Sequence, residues 1–289
     1  MKVMFFSKNF EMANDAISKL ETLFDEMDKN KLAHGDVSDM TSHDIDFSGV
    51  TFRYEEGVDV LTDFSLKLES GKKYALVGSS GSGKSTIAKL ISGFYPVSSG
   101  ELKIGGVDIS KYKRETLEHE IAFVFQNAKL FKTSIYENVK IGRPDASREE
   151  VIKALDFAMC GSILDKFETR EDTIIGAKGV HLSGGETQRI AIARAILKDA
   201  PIIILDEASA ASDPENEYEM QQAFSKLMEG KTVIMIAHRL SSIRNVDEIL
   251  VVEDGKVTER GSHDELIAKD SKYKNLQNLY NQANEWRLS

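Results

Sequence analysis

The chain has 289 residues, 41% hydrophobic and 29% charged, the balance of an ordinary globular protein with room for a substantial core. A net charge of −10 argues against nucleic-acid binding by charge alone, and a single cysteine, Cys160, excludes an internal disulfide. No apolar run reaches the length of a membrane span and the N-terminus has no signal-peptide pattern, so the chain reads as soluble.

Residues 1–44 stand apart from the rest. Phe10, Ala13, Ile17, Leu20, Phe24 and Met27 recur at steps of three and four, which predicts a helix with one apolar face. That face packs either on the domain's own core or on something N-terminal to it. Asp28–Asp44 is polar and reads as a linker. From Ile45 the pattern turns to strands: "IDFSGVTFRY" and "LTDFSLKLES" alternate, with turn-like "EEGVDV" between them. "KYALVG" is a short buried strand that runs into a glycine-rich loop, and "STIAKLISGF" is a helix ending near Gly93. "ELKIGG" and "IAFVFQ" are further short strands.

Lys129–Asp172 is mostly helical in pattern, and Ser147 with Glu150 forms a capping-box signature. Strands return at "PIIILDE", "KTVIMIAH", "EILVVED" and "GKVTERG". The tail from Ser262 to Trp286 opens on a second such signature, Ser262 with Glu265, and reads as helix. Strands alternating with helices predict an α/β fold with a mainly parallel core and a helical insertion.

The chemistry is concentrated in a few places. Gly78, Ser79, Ser80, Gly81, Ser82, Gly83, Lys84 and Ser85 fill every position of G-x-x-x-x-G-K-[ST], between a strand and a helix, with Thr86 following. Such a loop turns successive N–H groups onto a phosphate, Lys84 adds a charge for the β- and γ-phosphates, and the Ser85 hydroxyl can ligate Mg²⁺. "IIILDE" delivers Asp206 and Glu207 to the C-terminal end of a buried strand, where open parallel sheets bind ligands. Asp206 suits the Mg²⁺ shell, and Glu207 suits a general base for the attacking water. His238 follows another apolar strand to the same edge, within reach of a γ-phosphate. Gln126 ends "IAFVF", where its amide could ligate Mg²⁺ or orient water. A second glycine-bearing loop, Ser183, Gly184 and Gly185 in "LSGGE", also offers N–H groups to a phosphate.

Taken together these motifs resemble the nucleotide-binding domain of exporter-type ATP-binding-cassette (ABC) transporters, over Ile45 to about Tyr280. "LSGGE" looks like that family's signature motif, and the order Lys84, Gln126, Ser183, Asp206–Glu207, His238 is the family's order. The resemblance implies a P-loop NTPase core with an antiparallel β subdomain, a helical subdomain at about 127–190, and hydrolysis of ATP with Mg²⁺ coupled to transport. It implies that Tyr54 stacks on adenine and that Asp213 lies in a loop crossing a dimer interface. It implies that two nucleotide-binding domains sandwich the ATP, with Ser183, Gly184, Gly185 and Asp213 acting on the partner's nucleotide. Thr173–Glu186 matches the segment that senses the membrane domain of the parent exporter. The Phe10–Met27 helix resembles the end of its last membrane helix, which puts the domain at the cytoplasmic face of the membrane. No role with nucleic acid is implied.

Three departures stand out. Ala177 replaces a usual glutamate, Ala210 and Ser212 replace a usual serine and leucine, and Glu186 replaces the commoner glutamine. The first two put contacts with the membrane domain and the partner subunit in doubt. None touches Lys84, Asp206, Glu207 or His238. Glu186 has capping-box spacing from Ser183, which predicts that it turns back onto the Ser183 N–H.

Overall fold

A computed structural model of the chain describes residues 31–54, 57–176, 179–206, 214–237 and 243–288. The expected Phe10–Met27 helix lies outside them. Strands β1 (Ile45–Phe52) and β2 (Leu61–Leu68) pair antiparallel, with Ile45 opposite Leu68 and Phe47 opposite Leu66. The inward set on β1 shifts from Ile45 and Phe47 to Val50 and Phe52 across a register break, where Gly49 takes a φ of 59°. A bulge of this kind re-aims the strand, so both halves of an imperfect alternation still reach one core. With β4 (Ser99–Ile104) and β5 (Val107–Asp108) these strands form an antiparallel sheet of order β2-β1-β4-β5.

The second sheet has the order β10-β9-β3-β8-β7-β6. Its strands are β3 (Lys73–Val77), β6 (Ile121–Val124), β7 (Ile202–Asp206), β8 (Thr232–Ile236), β9 (Glu248–Glu253) and β10 (Lys256–Gly261). From β9 to β6 every pairing is parallel, and β10 alone returns antiparallel. The β9–β10 turn places Asp254 and Gly255 at φ 46° and 70°, the left-handed pair of a tight hairpin. The middle strands are unbroken apolar runs because both faces are covered. On β7, Ile202 and Ile204 join the core shared with the antiparallel sheet, while Ile203 and Leu205 join a second core under the helices.

Among the described residues the helices are α1 (Lys84–Ile91), α2 (Arg114–Glu120), α3 (Ile135–Lys140), α4 (Arg148–Phe157), α5 (Gly161–Leu164), α6 (Gly184–Lys198), α7 (Pro214–Leu227), α8 (His263–Ile267) and α9 (Lys272–Leu288), and α3 to α7 cover the second core. Helix α6 is the hub, packed against α3, α4, α7 and β6. Its polar residues tie these neighbours together: Arg194 Nε donates to the Asn138 carbonyl at 2.8 Å and Lys198 Nζ to the Ile121 carbonyl at 2.7 Å. The capping boxes expected at Ser147–Glu150 and Ser262–Glu265 are both formed.

Two expectations are modified. The tail is not one helix: α8 stops at Ile267, and Ser271, whose hydroxyl donates to the Leu266 carbonyl and accepts the Lys274 N–H, restarts it as α9. Helices α2 and α7 are additions to the elements expected from the sequence. Among the described residues, no helix is long and apolar enough to cross a membrane.

Candidate functional site

The parallel strands line up their C-terminal ends. Leu76 and Asp206 each pair with Ile236, and Leu205 pairs with Val124. The chain therefore leaves this one edge at Gly78, Phe125 and Asp206. Glu207 and His238 are the next residues after β7 and after Ala237, and both lie outside the described residues.

Between β3 and α1 the loop folds back on itself. Gly78, Gly81 and Gly83 have φ values of 145°, 81° and 104°, which favour glycine strongly. At Gly78 space is also decisive, since an added Cβ would lie 2.1 Å from the Val252 carbonyl oxygen. The Lys84 ammonium is wrapped by its own loop: it donates to the carbonyls of Gly78 (3.0 Å) and Ser79 (2.6 Å) and to Ser82 Oγ (3.2 Å). Burial pushes Lys84 below the ordinary lysine value, and the Asp206 carboxylate offsets part of that. Helix α1 has no side-chain N-cap and no acid in its first turn, unlike α3, α4, α6 and α8, each capped by a serine hydroxyl. A glycine cradle, a buried ammonium and an uncapped helix start are together chemically suited to an anion.

Tyr54 sits beside this loop. Its hydroxyl lies 3.1 Å from Thr86 Oγ1, and its ring packs edge-on against Phe52 and Tyr95 at 4.9 and 5.2 Å, with the Lys89 ammonium 5.5 Å from its centroid. Tyr54 is 40% exposed.

Gln126 is exposed and lines, with Asp206, a cavity of about 850 Å³ that also takes in Phe125, Phe131, Ile141 and Arg194. The half-buried Ser85 hydroxyl, the Asp206 carboxylate and the Gln126 amide are hard oxygen donors. Among the described residues no group of three or more carboxylates, histidines or cysteines forms a metal cage. One carboxylate with a hydroxyl fits Mg²⁺, which is commonly held through one or two carboxylates and a substrate phosphate.

The second glycine loop is built differently. Ser183 is the N-cap of α6: its Oγ accepts the Glu186 N–H at 3.3 Å, while Glu186 Oε2 accepts the Ser183 N–H at 2.7 Å. The expected turn-back of Glu186 is thus formed. Its other oxygen, Oε1, accepts from Lys166 Nζ at 2.6 Å. Burial alone would raise the Glu186 carboxyl, but Lys166 and Ser183 outweigh it and hold it below its ordinary value. Among the described residues, no hydrogen bond joins Ser183–Gly185 to loop 78–83.

Comparison with known proteins decides the family: the ABC transporter family model matches residues 61–210. The chain belongs to the ABC transporter family. It is 47% identical over 237 residues to the ATP-dependent lipid A-core flippase of Pasteurella multocida, covering 81% of this chain and 41% of that protein. It is 45% identical over 245 residues to the ATP-dependent lipid A-core flippase of Salmonella paratyphi A, covering 84% and 42%. Among solved structures it resembles a bacterial Atm1-family ABC exporter with ATP bound, with TM-score 0.80 and 34% identity, over 91% of this chain and 47% of that one. The chain spans about two fifths of the length of these curated relatives.

This ABC ATPase domain therefore brings loop 78–86, Tyr54 and Asp206 to one edge of the sheet, beside the cavity that holds Gln126. Ser183–Gly185 cap a different helix, α6. Asp213 and the departures at Ala177, Ala210 and Ser212 lie outside the described residues, with Glu207 and His238. Sequence spacing gave no sign of Lys166, because its partner Glu186 is 20 residues away and on another element. Gln188, which reaches from α6 to the Phe125 carbonyl at 3.3 Å beside Gln126, was equally invisible.

Proposed function

We propose that two copies of this domain, or this domain and a close relative, close head to tail over two ATP molecules and hydrolyse them to drive export by a membrane partner. The observation that carries this reading is the state of the α6 N-terminus. Ser183 and Gly184 are exposed, and a Cβ added at Gly184 or Gly185 would meet nothing of the chain's own within 4 Å. Glycines that the chain's own packing does not require leave room for close approach of something outside it.

In this reading Gly78–Thr86 hold the phosphates of the chain's own ATP, and the face of Tyr54 takes the adenine. Ser85, Asp206 and Gln126 hold the Mg²⁺, which neutralises phosphate charge when bound. Glu207 accepts the proton of the attacking water, and His238 contacts the γ-phosphate. Ser183, Gly184, Gly185 and Asp213 address the partner's nucleotide. Phosphoryl transfer needs positioning and charge neutralisation more than covalent chemistry, so a site completed only on closure suits it.

The exposed side chains of Phe125, Phe131 and Ile141 around the Gln126 cavity offer an apolar seat for the membrane partner. Movement there reaches Gln126 directly. The resemblance of the Phe10–Met27 pattern to the end of a membrane helix supports a position of the domain at the cytoplasmic face of the membrane. The test is Glu207→Gln in the full chain. Turnover should fall by roughly 10²–10³ or more while ATP binding survives and a nucleotide-dependent dimer accumulates. Near-normal phosphate release from this variant would remove Glu207 as the base.

A further inference from the structure

An anion-facing helix start with a buried carboxylate in its first turn poses an electrostatic problem. The free N–H groups of α6 give its N-terminus roughly half a positive charge. Glu186, 8% exposed, places a full negative charge there. Helix α1, which faces the chain's own phosphates, avoids the conflict: it has no acid in its first turn and opens on Lys84. Helix α6 opens on two glycines with Glu186 in its first turn, and its first cation, Arg189, is paired with Glu219.

Lys166 supplies the missing cation from the segment after α5. We infer that Lys166 is a positioning residue for the ATPase reaction: it neutralises Glu186, so that the Ser183–Gly185 end of α6 stays attractive to the partner's terminal phosphate. Glu186 serves as a cap, its Oε2 accepting the Ser183 N–H while Oε1 is held by Lys166 at 2.6 Å, and a glutamine amide oxygen could accept the same N–H. The charge also matters more here than in the other capping boxes. The Glu186 side chain is 10% exposed, against 48% for Glu150, whose pairing with Arg143 is largely screened by water. This inference rests on the proposed head-to-tail closure.

The test uses the full chain in a Glu207→Gln background, reading ATP-dependent dimer formation by sedimentation. Lys166→Met should raise the ATP concentration for half-assembly by about two- to fivefold, the range expected for one charge near a helix terminus. Lys166→Arg should leave it unchanged, and Lys166→Met combined with Glu186→Gln should recover it, because a neutral amide needs no counter-charge. The thermal unfolding midpoint of each variant, measured without nucleotide, separates this from a packing role: the shift in assembly must appear at an unchanged midpoint. Unaltered assembly in Lys166→Met, or a double variant no better than Lys166→Met, overturns the inference. If the Glu207→Gln parent itself does not assemble with ATP, the head-to-tail reading fails and takes this inference with it.

Discussion

The Lys84 ammonium lies 2.6 Å from the carbonyl oxygen of Ser79, caged by the loop it is meant to serve. The cage is made of neutral oxygens, so a phosphate, carrying full negative charge, displaces them. Lys84→Ala should therefore weaken ATP binding by about ten- to a hundredfold, the worth of a hydrogen bond to a charged group. Its unfolding midpoint without nucleotide should change little, since burial already disfavours the cation. Calorimetric titration and thermal melts check the two halves. A large stability loss with unchanged binding would make the cage structural.

Gly78 and Gly185 are glycines for different reasons, and alanine separates them. Gly78→Ala pushes a Cβ to 2.1 Å from the Val252 carbonyl at φ 145°, so it should destabilise the fold by more than about 2 kcal/mol. Gly185→Ala meets nothing and sits in a helix, where alanine gains up to about 1 kcal/mol. It should be neutral or stabilising in denaturant titration and yet depress turnover. A Gly185→Ala chain with full phosphate release would leave that glycine without an external partner.

The capping carboxylates make the fold acid-sensitive. Glu150 and Glu265 are held below the usual value of 4.5 chiefly by the N–H groups of Ser147 and Ser262. Glu186 is also low, burial there being outweighed by Lys166 and Ser183. A carboxyl depressed on folding stabilises fully above its unfolded value and loses that contribution as pH falls through its folded value. The denaturation midpoint should thus begin to fall below pH 4.5. Glu186→Gln should flatten part of that decline, Glu150 and Glu265 contributing less because water screens them. An unchanged acid profile in Glu186→Gln would contradict the assignment.

Cys160 is fully buried, and burial pushes its thiol up to about 12. It should resist thiol reagents in the folded chain and react only as fast as the second core opens. Labelling by an aromatic disulfide at increasing denaturant measures this, and fast labelling without denaturant would be inconsistent with the packing around Ile163 and Ile190.

How far the sequence carries depends on whether a residue's role is local. The P-loop, the acidic strand end and the capping boxes are legible because each is written within a few residues: Gly78–Ser85, Ile202–Asp206, Ser183–Glu186. The alternating strands β1 and β2 are legible for the same reason, apart from the bulge at Gly49. What escaped is tertiary. Lys166 meets Glu186, Lys198 meets the Ile121 carbonyl, and buried Arg189 joins Met159, Asn216 and Glu219 only after α6 is set among its neighbours. The break at Ala268–Ser271 depends on Ser271 reaching back to Leu266, a bond that helical periodicity does not announce.

The central claim is that the two glycine loops of one chain serve two different nucleotides. Mixing a Lys84→Ala chain with a Ser183→Arg chain tests it directly. Each alone should be inactive, because every site in either homodimer contains one defect. The mixed dimer contains one site with both defects and one with none, so the mixture should regain ATP hydrolysis that neither variant has. A mixture that stays as inactive as its parts would contradict the claim.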